Sequence, residues 1–216
     1  MSAIVLRPYK AGEVISECQP IINCIENNFK SKTCDNCLKT SDSLKKCTKC
    51  RQMFYCDQNC QQNDWKYHKN ECKLFTNKPN NSFDIKERLL LRLWLSIKKD
   101  PKFVTKRHKS LDGRDVSIDE FDFKFRNEKK IEENMNCFEK IVEQFKGFGL
   151  EFNRKELFYW YQLVCDEKYI FPLTTSVIAS DIALKCEDIP GVKNPLLLAF
   201  GMFANKSYLS HSCLPN

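Results

Sequence analysis

The order of apolar and polar positions along this chain changes period several times, and each change marks a different kind of element. Residues 1–23, MSAIVLRPYKAGEVISECQPIIN, run as short apolar stretches around a turn signal at Ala11-Gly12, which predicts short strands in AIVLRPY and VIS. Strand-sized pieces of this kind cannot bury a core alone, so they are expected to pair with residues beyond the polar, cysteine-rich segment that follows. Further on, DIKERLLLRLWLSIKK predicts an apolar-rich helix starting near Asp84. Ile131, Met135, Phe138, Val142 and Phe145 recur at helical spacing, so an amphipathic helix is expected over 128–146, ended by Gly147 and Gly149. A third helix is expected over 154–165 behind the capping residue Asn153, with Phe158, Trp160 and Tyr161 as packing aromatics. Between the first two helices, DPKFVTKRHKSLDGRDVSIDEFDF mixes charges around Asp112-Gly113 and reads as a surface loop.

Composition fits a folded chain: of 216 residues, 42% are hydrophobic and 12% aromatic. No stretch approaches eighteen apolar residues, and MSAIVLRPYK lacks a charged-then-apolar leader, so neither a membrane span nor secretion is expected. Thirteen cysteines without an export signal point away from disulfides and towards metal.

Their spacing is specific. Residues 34–72 read CDNCLKTSDSLKKCTKCRQMFYCDQNCQQNDWKYHKNEC, which is C-x2-C, C-x2-C, C-x3-C and H-x3-C in succession. Cys34, Cys37, Cys47, Cys50, Cys56, Cys60, His68 and Cys72 supply the donors of two tetrahedral sites. A two-residue gap lets a tight turn aim two sulfurs at one ion, and a three-residue gap places two ligands on one helix face. Asp64 is the expected N-cap of a short helix, Trp65 to Cys72, that presents His68 and Cys72 together. Closed sites of seven thiolates and one imidazole favour zinc over iron. Spacing alone leaves open whether the pairs combine sequentially or in alternation. Because structural zinc contributes about 10–16 kcal/mol of folding energy per site, this segment is expected to be unfolded without metal.

Metal also changes the charge picture. The formal net charge is +7, from 35 Lys and Arg against 28 Asp and Glu. Four thiolates on zinc carry two negative charges and three thiolates with an imidazole carry one, so the loaded chain stands at about +4. Within 34–72 the balance moves from +2 to about −1, which gives a nucleic-acid surface on this segment little support.

With Gln61 four residues before Trp65, the segment resembles the MYND zinc finger. The resemblance implies cross-bracing: one zinc on Cys34, Cys37, Cys56 and Cys60, the other on Cys47, Cys50, His68 and Cys72. It also implies a docking groove for proline-containing peptides beside Gln61 and Trp65, although Trp65 has an equally weighted reading as a packing residue. Taken with GEVI at 12–15, GMF at 201–203 and SHSCLPN at 210–216, the whole chain resembles the SMYD family, in which a MYND finger splits a SET lysine methyltransferase domain.

That resemblance implies an α+β chain: a partial, discontinuous SET-like β fold with an inserted two-zinc finger and a helical insert. The expected divisions are N-terminal SET-like strands at 1–30, the finger at 34–72, the helical insert at 73–150 and a C-terminal SET-like core at 151–216, truncated after SHSCLPN. The implied cofactor is S-adenosylmethionine, contacted by Ser210 and His211. MSAI stands where the family has G-x-G, Ser210 where it has Asn, and the sequence reaches Asn216 before the family's channel Tyr and its later cysteine cluster, to which Cys213 would belong. No catalytic residue is assigned within the chain. Two functions follow: S-adenosylmethionine-dependent protein-lysine methylation, on histone or other proteins, or a catalytically silent module that docks proline-containing peptides. Protein partners, a monomer, and a location in nucleus and cytoplasm are expected, with no nucleic acid and no membrane. Cys18, Cys24, Cys137, Cys165 and Cys186 have no metal spacing and are expected to be small buried hydrophobes.

Overall fold

The computed structural model describes residues 20–77, 83–109, 114–121, 128–165, 170–174 and 197–202. The expectations for the strands upstream of residue 20, GEVI, Asp112-Gly113, Cys18, Cys186 and SHSCLPN, with Ser210, His211 and Cys213, lie outside them. In chain order the elements are β1 (Ile22–Ile25), β2 (Lys45–Lys46), β3 (Phe54–Tyr55), α1 (Gln58–Asn77), α2 (Ile85–Lys99), β4 (His108–Lys109), β5 (Asp115–Val116), α3 (Glu128–Gly147), α4 (Arg154–Cys165), β6 (Ile170–Thr174) and β7 (Leu197–Met202).

Helix α2 organises the core. Asp84 and Glu87 close a capping box at its start, each side chain accepting the other's backbone N–H at 2.8 Å. Leu89, Leu90, Leu91, Leu93 and Trp94 are all buried, so apolar residues cover the helix on every side rather than along one stripe. The reason is position: α1, α4 and β1 pack around it. Arg88 and Arg92 interrupt that apolar surface and are buried as well.

Helix α3 ends as its glycines predict. Gly149 takes a positive φ of 69°, the Leu150 N–H bonds the Phe145 carbonyl, and the Gly149 N–H bonds the Lys146 carbonyl, which together form a Schellman motif. Phe138, Val142 and Phe145 face the core, joined by Ile141. Helix α4 starts at the expected cap, where Asn153 Oδ1 accepts the N–H groups of Lys155 and Glu156 at 2.9 and 3.1 Å. Phe158 and Tyr161 stack around Phe138 with centroids 4.9 and 5.5 Å apart, a packing role for these aromatics.

The larger sheet has the order β1–β7–β6, antiparallel throughout. Its β1 strand precedes the cysteine-rich segment and its β7 strand follows α1 to α4, with Ile22 opposite Met202 and Ile25 opposite Ala199. The expected pairing across the finger is therefore present at these residues. Pro172, which has no N–H to give a ladder, falls on β6, an outer strand of this sheet among the described residues.

Residues 100–109 and 114–121 depart from the loop expectation. Two 3-10 turns flank the β4–β5 hairpin, and Phe103, Val116, Ile118 and Phe121 are buried. Their apolar positions follow neither a helical nor a strand period, so the mixed surface charges dominated the sequence pattern.

Candidate metal centre

Each C-x2-C pair is built as the same turn. The Leu38 N–H bonds the Cys34 carbonyl at 3.0 Å and the Arg51 N–H bonds the Cys47 carbonyl at 2.9 Å, and both closing residues have positive φ, 62° and 58°. A left-handed non-glycine residue costs about 1–2 kcal/mol, so two of them in equivalent places mark turns held by something stronger than local preference. The short β2–β3 ladder sets the second turn beside the first: the Cys47 N–H bonds the Met53 carbonyl at 2.8 Å, and the Asp35 N–H bonds the Phe54 carbonyl at 2.8 Å.

The helix that carries the last ligands starts earlier than the sequence suggested. Asp57, not Asp64, is the cap: its Oδ1 accepts the Cys60 N–H at 2.8 Å and its carbonyl accepts the Gln61 N–H at 3.2 Å. Helix α1 thus holds Cys60, His68 and Cys72 on one rod and continues to Asn77. Asp64 lies in the helix interior, buried, with another task described below.

Two groups of four donors form, Cys34, Cys37, Cys56 and Cys60 in one and Cys47, Cys50, His68 and Cys72 in the other, with donor atoms in each lying within 4.8 Å of one another. This is the cross-braced combination. Zinc bonds of about 2.3 Å to sulfur and about 2.0–2.1 Å to nitrogen, at tetrahedral angles, require sulfurs about 3.8 Å apart and sulfur and nitrogen about 3.6 Å apart. Cys37 and Cys56 Sγ are 3.6 Å apart, Cys47 and Cys72 Sγ 3.8 Å, and Cys50 Sγ lies 3.5 Å from His68 Nε2. The two clusters fit two zinc ions. All four ligands of the second group are buried, whereas Cys37 in the first is exposed. Without metal, burial and then the neighbouring sulfurs push Cys56 and Cys72 each up to about 12. Against the cost of burial, the Cys50 backbone N–H and the His68 ring pull Cys47 down to about 6. Zinc must therefore displace protons as it binds.

Behind the second group lies a buried ionic core that sequence reasoning missed. Arg92 grips Glu71 with two parallel bonds, Nε to Oε1 at 3.0 Å and Nη2 to Oε2 at 2.7 Å. Its Nη1 also reaches Asp64 Oδ1 at 3.2 Å and the Asn23 carbonyl of β1 at 3.1 Å. Arg88 Nη2 donates to Asp35 Oδ1 at 3.0 Å, and Asp35 Oδ2 accepts the Phe54 N–H at 2.9 Å. Tyr55 donates to Asp64 Oδ2 at 2.8 Å. Burial raises the Asp64 carboxyl despite Arg92, whereas Arg92 and Arg88 overcome burial and hold Glu71 below the usual carboxylate range. The network fastens the metal-binding segment onto α2 and β1. Its sequence signal was two arginines four residues apart inside an otherwise apolar helix.

Gln61 and Trp65 lie one turn apart on α1. Trp65 is 39% exposed and its ring meets that of His68 edge-on at 5.8 Å, so it packs on a ligand and also presents a face to solvent. Cys24 and Cys165 are buried as expected, and burial pushes the Cys24 thiol up to about 11. Cys137 is exposed, contrary to expectation, because it sits beside rather than on the apolar stripe of α3. Among the described residues no helix is long and apolar enough to cross a membrane.

Two interleaved donor sets, built from two left-handed turns, Cys56 just after β3 and one helix, define a cross-braced, two-zinc finger module, and the MYND finger family matches residues 34–72. The wider comparisons extend past the module. The chain is 27% identical to N-lysine methyltransferase SMYD2-B of Xenopus laevis over 97% of this chain and 44% of that protein, and 24% identical to human N-lysine methyltransferase SMYD2 over 98% and 44%. It is 43% identical to Histone-lysine N-methyltransferase ASHR1 of Arabidopsis thaliana over 35% of this chain and 15% of that protein. The finger match and the similarity along nearly the whole chain support an SMYD-family assignment, and the chain spans less than half the length of these relatives.

Proposed function

We infer that the protein transfers the methyl group of S-adenosylmethionine to lysine side chains of other proteins, with the two-zinc finger and the sheet that closes across it forming part of its SET/MYND region. One observation carries this reading: similarity to N-lysine methyltransferases runs through the finger and both of its flanks, over 97% of the chain. The β1–β7 pairing supports it, because a strand before the finger and a strand after the helices then belong to one discontinuous SET-like sheet. Ser210 and His211, eight and nine positions after Met202 in the sequence, are the proposed cofactor contacts. Bound there, S-adenosylmethionine would supply an activated methyl on its sulfonium sulfur: a neutral lysine amine would form the new C–N bond as the S–CH3 bond breaks, with S-adenosylhomocysteine leaving and the amine giving up a proton. Titration calorimetry with S-adenosylmethionine tests the chain, and transfer of a labelled methyl group to histone tests the full-length protein. Binding at micromolar cofactor together with label on lysine is expected. No heat from the chain and no transfer by the full-length protein would leave only the docking function.

That second function has its own support in the exposed face of Trp65 beside Gln61. A flat aromatic next to an amide suits a proline-containing peptide, whose ring stacks while its backbone carbonyls accept hydrogen bonds. Trp65→Ala is expected to weaken binding of such a peptide at least about tenfold, as loss of an aromatic anchor does, while zinc content stays at two ions. Unchanged peptide affinity would remove the groove from these residues. In both functions the partners are proteins, met by a monomer in nucleus and cytoplasm.

A further inference from the structure

The two ring nitrogens of His68 face different partners. Nε2 lies 3.5 Å from Cys50 Sγ inside the second donor group, so the ring meets the metal position through Nε2 and its proton belongs on Nδ1. Nδ1 is buried and makes no hydrogen bond. Facing it, one helical turn on, is the Glu71 carboxylate, with Oε2 at 3.8 Å and both side chains at 0% exposure. The same carboxylate receives the fork of Arg92 at 2.7 and 3.0 Å, and Arg88 Nε stands 3.8 Å from Oε1. Arg92 then reaches β1 through the Asn23 carbonyl at 3.1 Å. Asp35, Asp64 and Glu71 set three negative charges against the two guanidinium groups in a dry site. An imidazole N–H polarised by a bound dication is placed to share the excess.

We propose that Glu71 is the positioning residue of the second metal site: it accepts the Nδ1–H of His68, holds Nε2 towards the three thiolates, and through Arg92 links metal occupancy to the seating of the finger on α2 and β1. Asp64 provides the internal comparison, because it is equally buried and bonds the same arginine but faces Tyr55 instead of His68.

Cadmium NMR of the full chain, with cadmium in place of zinc, separates an all-sulfur site from one with a nitrogen ligand, so a chelator competition reads the two affinities independently. Glu71→Gln is expected to weaken the second site by about ten- to a hundredfold and to leave the first unchanged, the usual size of effect for a partner one shell out from a metal. Asp64→Asn is expected to leave the ratio of the two affinities unaltered. No loss in Glu71→Gln, an equal loss at both sites, or the same selective loss in Asp64→Asn would overturn the proposal. If Glu71→Gln does not fold, the unaltered protein decides: nitrogen-15 spectra of His68 should show cadmium coupling at Nε2 and a slowly exchanging proton on Nδ1. Coupling at Nδ1, or an Nδ1 proton exchanging as fast as an exposed one, would contradict it.

Discussion

Stripping the metal with a strong chelator at neutral pH is expected to abolish amide protection across residues 33–60 while the α3 and α4 amides stay protected. The asymmetry follows from what holds each part. Ahead of α1, residues 33–57 hold little beyond two-residue strands, two left-handed turns and a few buried side chains such as Met53 and Tyr55. Such a segment has no core of its own to set against the about 10–16 kcal/mol contributed by each structural zinc. Helices α3 and α4 instead pack through Phe138, Phe158 and Tyr161 and share no ligand. Release should come in two steps, because Cys37 of the first group is open to solvent and all four ligands of the second are buried. Hydrogen exchange read at the Cys47 amide, bonded to the Met53 carbonyl beside the β2–β3 ladder, and at the Asp35 amide, bonded to the Phe54 carbonyl of β3, is the direct observable. Protection there that survives chelation would mean the turns stand without metal.

Arg92→Ala is expected to cost about 3–5 kcal/mol, because it removes the guanidinium bonded to both buried carboxylates, leaving Asp64 without its cation and Glu71 with only Arg88 at 3.8 Å. For a chain of this length that lowers the melting temperature by roughly 10 °C. Arg92→Lys should recover only part of the loss, since an ammonium cannot grip Glu71 with two parallel bonds and reach the Asn23 carbonyl as well. Lys146→Ala, which breaks an exposed pair with Glu143 one turn away, is the contrasting case at under about 1 kcal/mol. Calorimetric melting of the zinc-loaded variants checks both. Equal effects for Arg92 and Lys146 would mean the buried network does not fasten the finger.

How much of this could be seen beforehand depended on how local each interaction is. Metal ligands declare themselves in the sequence because a turn or a helical repeat fixes donor spacing within a few residues, and the family resemblance then supplied the cross-braced pairing that spacing left open. Helices α2, α3 and α4 were legible for a similar reason: Asp84, Gly149 and Asn153 act on residues next to them. The Asp35, Asp64, Glu71, Arg88 and Arg92 core joins parts of the chain up to 57 residues apart, counted from Asp35 to Arg92, and no local period encodes it. Asp64 shows the cost of reading locally. An acid ahead of a helical stretch suggests a cap, yet Asp57 already capped the helix from within the ligand motif, where Cys56 and Cys60 drew attention to metal instead. Cys137 was open to correction from the sequence itself, since the buried stripe of α3 passes through Phe138 and turns its neighbour outward.

Elemental analysis of the purified, folded chain tests the account most directly. Two equivalents of zinc per chain are expected, lost on chelation together with the finger's protection. Folded protein that carries fewer than two would contradict the paired tetrahedra on which the finger, its buried ionic anchor and the role given to Glu71 all depend.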